Sequence, residues 1–325
     1  MEFWRRKKEK RKARECFLEN GSTFLEDLIA DCNGISNPIR MFSSDQISKA
    51  TNHSDPQWLG SFSEYFIGVI EGRSYAIKKL IYYRDKWEPE SYKDIVISAR
   101  VSNHSGFLKL KGCCLEFPYP VVVFEKPEYG VLNHGGSVGG EDEPLLPWNV
   151  RLKIAKEVAI AITYLHTAFP RIIIHRNINP KSVVLDKNWT AKLTNFSISV
   201  ILPEGKTWVV DRVTGTLGYL DPVYYHSGIV TEYTDVYSFG ILMLVLLTGI
   251  PALGPEGSIL RYIKDLQERG ETIEFGGDSN DMRLAGQMKM FLELALRCCE
   301  ERIEDRPKMI LVAKELKRIE KLLDC

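Results

Sequence analysis

The sequence predicts an α+β chain in two lobes, a small β-rich one and then a larger helical one. Three observations predict it. Short apolar runs dominate residues 56–125, helical spacing dominates 126–325, and 325 residues with 44% hydrophobic content can bury one large core or the cores of two lobes.

Residues 1–55 read as an N-terminal extension that opens on Arg5, Arg6, Lys7, Lys8, Lys10, Arg11, Lys12 and Arg14. Such a run is a solvated, partly disordered arm or a weak contact with anionic lipid. In 56–125, Val69 to Lys78 reads as two strands around a Gly72-Arg73 turn. Tyr92 to Val101 fits a helix, and Phe107 to Leu115 and Val121 to Phe124 are further apolar runs. In 126–325, the glycine-rich stretch His134 to Gly140 is followed by Pro144 rather than a helix start. It therefore reads as a flexible connection, not a phosphate cradle. Leu152, Ala155, Val158, Ala159, Ile162 and Leu165 repeat at helical spacing, and Met309, Val312, Leu316, Ile319 and Leu323 mark a closing amphipathic helix.

Composition narrows the function classes. Lysine plus arginine (43) equals aspartate plus glutamate (43), so no overall field recruits nucleic acid. The longest apolar run, Ile241 to Leu247, is far below the roughly 20 residues of a membrane span and reads as a buried helix. Seven cysteines, in which no Cys-x-x-Cys spacing suits zinc, and no signal peptide point to a reducing, cytoplasmic setting with at most peripheral contact at the plasma membrane.

Six motifs carry the functional reading: Tyr75-Ala76-Ile77-Lys78, His175-Arg176-Asn177-Ile178-Asn179-Pro180-Lys181-Ser182, Asn195-Phe196-Ser197, Gly215-Thr216-Leu217-Gly218-Tyr219-Leu220-Asp221-Pro222, Asp235-Val236-Tyr237-Ser238-Phe239-Gly240 and Asp305-Arg306-Pro307. In this order they resemble the protein-kinase signature set, which implies a bilobal protein-kinase fold. Phe42-Ser43-Ser44-Asp45-Gln46-Ile47 with Ala50-Thr51-Asn52 extends the likeness to plant receptor-like cytoplasmic kinases. Cys16-Phe17-Leu18-Glu19-Asn20-Gly21, Leu165 to Pro170 and Leu185 to Leu193 make the chain similar to the HopZ-ETI-deficient-related pseudokinases. That resemblance implies an adaptor for a plant immune receptor of the nucleotide-binding, leucine-rich-repeat (NLR) type, with other receptor-like cytoplasmic kinases and bacterial effectors as further partners.

Phosphoryl transfer needs positioning, charge neutralisation through magnesium and a carboxylate that accepts the substrate proton. Against the kinase pattern, Asn177 stands at the proton acceptor, and a neutral amide is no base. Asn179 replaces the lysine that steadies the phosphoryl group. Ser182 replaces the second metal ligand, and Asn195 replaces the aspartate that holds magnesium. Of the glycine-rich loop only Gly60 remains, with Trp58 and Ser63 at the other glycine positions, and Tyr65 falls where a small residue roofs the adenine. The nucleotide-binding residues that persist are thus Lys78 and Gly60. No cofactor is required on this reading: ATP binding is weak at most, and magnesium is not expected.

Asp94 is the candidate partner of Lys78, with Ile95 the competing alignment. His175, Phe196, Asp235, Gly240 and Arg306 persist, so what is lost faces ATP and what is kept faces the core. Val223 stands where the family has a glutamate that pairs with Arg306, so Arg306 must find another acceptor or reach solvent. Three functions compete: an inactive adaptor, a kinase with a rearranged mechanism that uses Asp186 or Asp221, and an ATP-binding switch that works through Lys78. For the adaptor, Trp208, Val209 and Val210 in the activation segment are the expected partner contact.

Overall fold

The computed structural model describes residues 2–32, 39–52, 65–79, 92–140, 143–254, 257–273, 275 and 282–322. The chain divides into two units, Met1–Pro127 and Glu128–Cys325. The first is built on a five-stranded sheet and the second on helices, so the architecture is α+β.

In the first unit, the sheet order is β1-β4-β5-β3-β2, with β1 (Arg40–Met41), β2 (Phe66–Ile70), β3 (Arg73–Lys79), β4 (Leu110–Cys114) and β5 (Val121–Glu125). The β2–β3 turn is Glu71-Gly72, not Gly72-Arg73 as expected, because Arg73 already pairs with Ile70. Both turn residues have positive φ, the requirement of a tight hairpin whose twist matches its strands, and Gly72 meets it without strain. The short β1 runs parallel to β4 at Gly112, where a Cβ would stand 2.1 Å from the Arg40 carbonyl oxygen, so only glycine admits it. Behind β1, α2 (Ser44–Ala50) starts on a capping box of Ser43 and Gln46, the physical content of the Phe42-Ser43-Ser44-Asp45-Gln46-Ile47 motif.

The basic arm is helical. Lys, Arg, Glu and Ala are strong helix formers, and α1 spans Glu2–Cys32 with an Arg11–Glu15 ion pair along it. Its fixing point is Asn20, which is 1% exposed. The Asn20 amide donates to the carbonyls of Leu115 (2.7 Å) and Phe117 (2.8 Å) and accepts from the Tyr92 hydroxyl (2.8 Å). One turn on, Phe24 meets the Tyr92 ring. Tyr92 directly precedes α3 (Lys93–Val101), close to the expected helix.

In the second unit, α6 (Glu232–Thr248) is buried along nearly its whole length, which explains the apolar run Ile241 to Leu247. A Thr231 capping box starts it and Gly249, at positive φ, ends it. Gly240 lets α8 (Met282–Cys298) approach, since a Cβ there would lie 2.6 Å from Cys299 Sγ. The other helices are α4 (Trp148–Thr167) and α9 (Met309–Lys321), both expected although Leu323 lies outside the described residues, the short α5 (Pro222–Ser227), and α7 (Ile259–Arg269). The glycine-rich stretch is not the flexible connection that was expected. Asn133 organises it, accepting from the amides of Gly135 and Ser137 and donating to the Gly140 carbonyl. Short strands β6 (Gly130–Val131), β8 (Val183–Asp186) and β9 (Thr190–Leu193) form one sheet, and β7 (Ile173–Ile174) with β10 (Val200–Ile201) forms a ribbon. These two pieces bracket the segment that holds the motifs. Among the described residues no helix is long and apolar enough to cross a membrane.

Candidate functional site

Central placement fixes Lys78. Strand β3 lies between β2 and β5, so Tyr75, Ala76 and Ile77 are buried and the strand delivers Lys78 to its end. Lys78 Nζ lies 3.3 Å from Asp94 Oδ2 in the first turn of α3, and the Asp94 side chain is wholly buried. Ser98 one turn later donates to the same carboxylate. The helix acid is therefore Asp94, while Ile95 is a fully buried core residue. Tyr65 is buried too, edge-on to Phe124 and with its ring 5.9 Å from Lys78 Nζ. Trp58, Gly60 and Ser63 lie outside the described residues.

In the second unit, Asp235 at the start of α6 organises the loop after β7. Its carboxylate accepts from the backbone N–H of His175 (2.8 Å) and Arg176 (2.7 Å) and lies 2.9 Å from His166 Nε2. Three partners on one buried carboxylate satisfy it without a further cation. His175 in turn reaches the Thr194 carbonyl, and its ring meets Phe196 at 5.1 Å.

On this frame the four substituted positions fall into two groups. Asn177, Asn179 and Ser182 form one closed, uncharged network. The Asn177 side-chain oxygen accepts from Thr216 Oγ1 (2.7 Å) and from the Asn179 amide (2.9 Å). The Asn179 side-chain oxygen caps the short helical turn Pro180–Ser182 by accepting from the Lys181 N–H, and Ser182 Oγ donates to the Asn179 carbonyl at 2.8 Å. Ser182 is completely buried. Asn195 stands apart from these bonds: it sits at φ +74°, a left-handed backbone that asparagine tolerates, and accepts from Ser197 Oγ.

The sequence profile of the protein kinase domain matches residues 59–318. The chain belongs to the protein kinase family. Relatives from Arabidopsis thaliana place it among the HopZ-ETI-deficient-related members. It is 53% identical to "Serine/threonine-protein kinase ZRK1", over 97% of this chain and 95% of that one. It is 52% identical to "Non-functional pseudokinase ZRK2" (97% and 94%) and 48% to "Non-functional pseudokinase ZED1" (97% and 99%). Members of both descriptions thus lie at similar distance, and identity alone does not decide activity.

The two carboxylates considered as replacement bases in this kinase-family chain are engaged elsewhere. Asp221 holds Arg306 in a two-pronged pair at 2.8 and 2.9 Å, with both side chains buried. Arg306 has found its acceptor two residues before Val223, and Asp221 is thereby removed from any role as a base. Asp186 lies 2.9 Å from Lys192. Burial alone would raise its carboxyl, but bonds from Lys192 and from the backbone of Lys187 and Glu128 hold it below its ordinary value. A carboxylate shifted down is a weaker base.

The activation segment contains a contact that sequence reasoning missed. The Arg176 guanidinium donates to Asp211 and to the Arg212 carbonyl, tying the segment to the loop that carries Asn177. The only signal for it was an acid beside the Trp208-Val209-Val210 run. That run is strand β11 (Trp208–Val210), paired with β12 (Ile229–Thr231). Alternation splits the expected contact: Trp208 is 53% and Val210 63% exposed, whereas Val209 is partly buried against the cluster of Ile174, Val200, Leu202, Tyr224 and Val230. Val209 is accordingly a packing residue. Leu217 and Tyr225, not singled out from sequence, are also exposed.

Proposed function

We propose that this chain is a catalytically inactive, kinase-fold adaptor of the cytoplasm that binds an NLR-type plant immune receptor and helps recognise effector action, with other receptor-like cytoplasmic kinases and bacterial effectors as further partners. The observation that carries the reading is the network of Asn177, Asn179, Thr216 and Ser182, in which the bonds close on one another without a charge. An amide engaged in this way accepts no proton from a substrate hydroxyl. The donor set does not suit magnesium either, since Ser182 Oγ is buried in its capping bonds and Asn195 offers a neutral oxygen. The relatives ZRK2 and ZED1, described as non-functional pseudokinases, agree with this reading.

One observation favours a second reading, a switch that binds ATP without turnover: the Lys78–Asp94 pair is intact. Receptor binding separates the two. An adaptor binds the receptor equally well as Lys78→Ala and in nucleotide-free buffer. Binding that requires both ATP and Lys78 would replace the adaptor reading with the switch.

A further inference from the structure

The two sides of α1 differ in what they meet. Asn20 and Phe24 face the sheet and α3. Lys7, Arg11, Arg14, Leu18, Leu25 and Ile29 recur at spacings of three, four and seven residues, which at 3.6 residues per turn puts them along the opposite side of the helix. All six are exposed, Leu18 to 62%, Leu25 to 56% and Ile29 to 57%. The stripe is cationic in its first part and apolar in its second. Lys8, Lys10 and Lys12, also exposed, add charge around the cationic part. Glu15 offsets Arg11 in an exposed ion pair at 3.4 Å, a weak interaction in solvent, and Glu9 is a further exposed acid in this part of the helix. In a chain whose cations and anions balance, this is a local excess of positive charge at one end of a docked helix.

We propose that α1 is a peripheral membrane contact, its outward stripe seated on an anionic bilayer with the cations at the headgroups and Leu18, Leu25 and Ile29 at the acyl boundary. With one face docked, the outward stripe presents its cations and its apolar side chains in succession along the helix, so a helix lying in the interface plane sets the first on the headgroups and the second at the acyl boundary. Charge complementarity selects the occupant, because clustered lysines and arginines beside exposed leucine and isoleucine match an acidic headgroup layer over hydrocarbon. The inference is independent of the adaptor reading and of any nucleotide.

Sedimentation of the full chain with vesicles tests it. At about 0.1 M salt the protein is expected to pellet with vesicles containing phosphatidylserine, to stay in solution with phosphatidylcholine alone, and to be released near 1 M salt, where the screening length falls to about 3 Å. The triple variant Lys7→Gln, Arg11→Gln, Arg14→Gln should partition on the order of a hundredfold more weakly, about fivefold per cation removed. A second triple variant, Lys314→Gln, Lys317→Gln and Lys321→Gln on α9, removes the same charge elsewhere and should partition like the native chain. Equal loss in both variants would mean net charge alone, and would overturn the proposal. So would failure of the native chain to pellet, or capture by single-stranded RNA or by a receptor ectodomain without capture by vesicles. Equal melting temperatures of the three proteins show that the variants report binding rather than unfolding.

Discussion

Arg306 and Asp221 illustrate how a lost partner is replaced within a buried ion pair. Both side chains are out of water, so removing one charge strands the other at a cost of about 3 to 5 kcal/mol. Asp221→Asn should therefore lower unfolding stability in denaturant by that order, and a loss under about 1 kcal/mol would mean that Arg306 reaches solvent instead. At Asn177 the expectation is different. Restoring Asn177→Asp places a carboxylate beside Thr216 but leaves Asn179, Ser182 and Asn195 as they are, so phosphate transfer should stay at background. Turnover from that single change would make the missing base the only defect. Losses within one catalytic machine do not add, which is why the single restoration is informative.

At the scale of elements, strand β11 separates an exposed face, Trp208 and Val210, from a packing face, Val209. Trp208→Ala should leave the melting temperature nearly unchanged and weaken partner binding by about 2 kcal/mol, the effect of truncating an interface anchor. Val209→Asp, one residue on, should do the reverse first: it puts a charge against Ile174 and Tyr224 and lowers stability by roughly 2 kcal/mol or more. A melting temperature that drops for Trp208→Ala and holds for Val209→Asp would invert the assignment of the two faces. The sequence shows this strand only in part, because its short apolar run hides the alternation until β12 supplies the pairing. Helix α1 is a stronger case. Its basic composition reads as disorder, and its anchor is a polar residue that a search for apolar periodicity passes over. Asn20→Leu would leave the carbonyls of Leu115 and Phe117 and the hydroxyl of Tyr92 without this partner, an expected loss of about 2 to 3 kcal/mol. By contrast, α4, α6 and α9 are legible directly, since each buries a regular stripe or a continuous apolar run.

Across the whole molecule, the signature residues that hold the fold persist, whereas of those that handle phosphate and metal in the kinase pattern Asn177, Asn179, Ser182 and Asn195 are changed and Lys78 is kept. Asp235 still ties down His175 and Arg176, Gly240 still admits α8, and His175 still meets Phe196. That division was readable in the motifs themselves, because each is a short local string whose altered letters can be named. What could not be read were the replacements made through space: Asp221 for the missing glutamate, Thr216 closing on Asn177, and Asp211 on Arg176. These depend on residues 35 to 85 positions apart meeting, which no local pattern encodes. The membership of the protein kinase family is shared with relatives described both as kinases and as non-functional pseudokinases, so the central claim turns on chemistry. The direct measurement is transfer of radiolabelled phosphate from ATP by the purified chain, to itself and to a generic basic substrate, beside Lys78→Ala. The account predicts no incorporation above background in either protein; incorporation by the native chain that disappears in Lys78→Ala would contradict it.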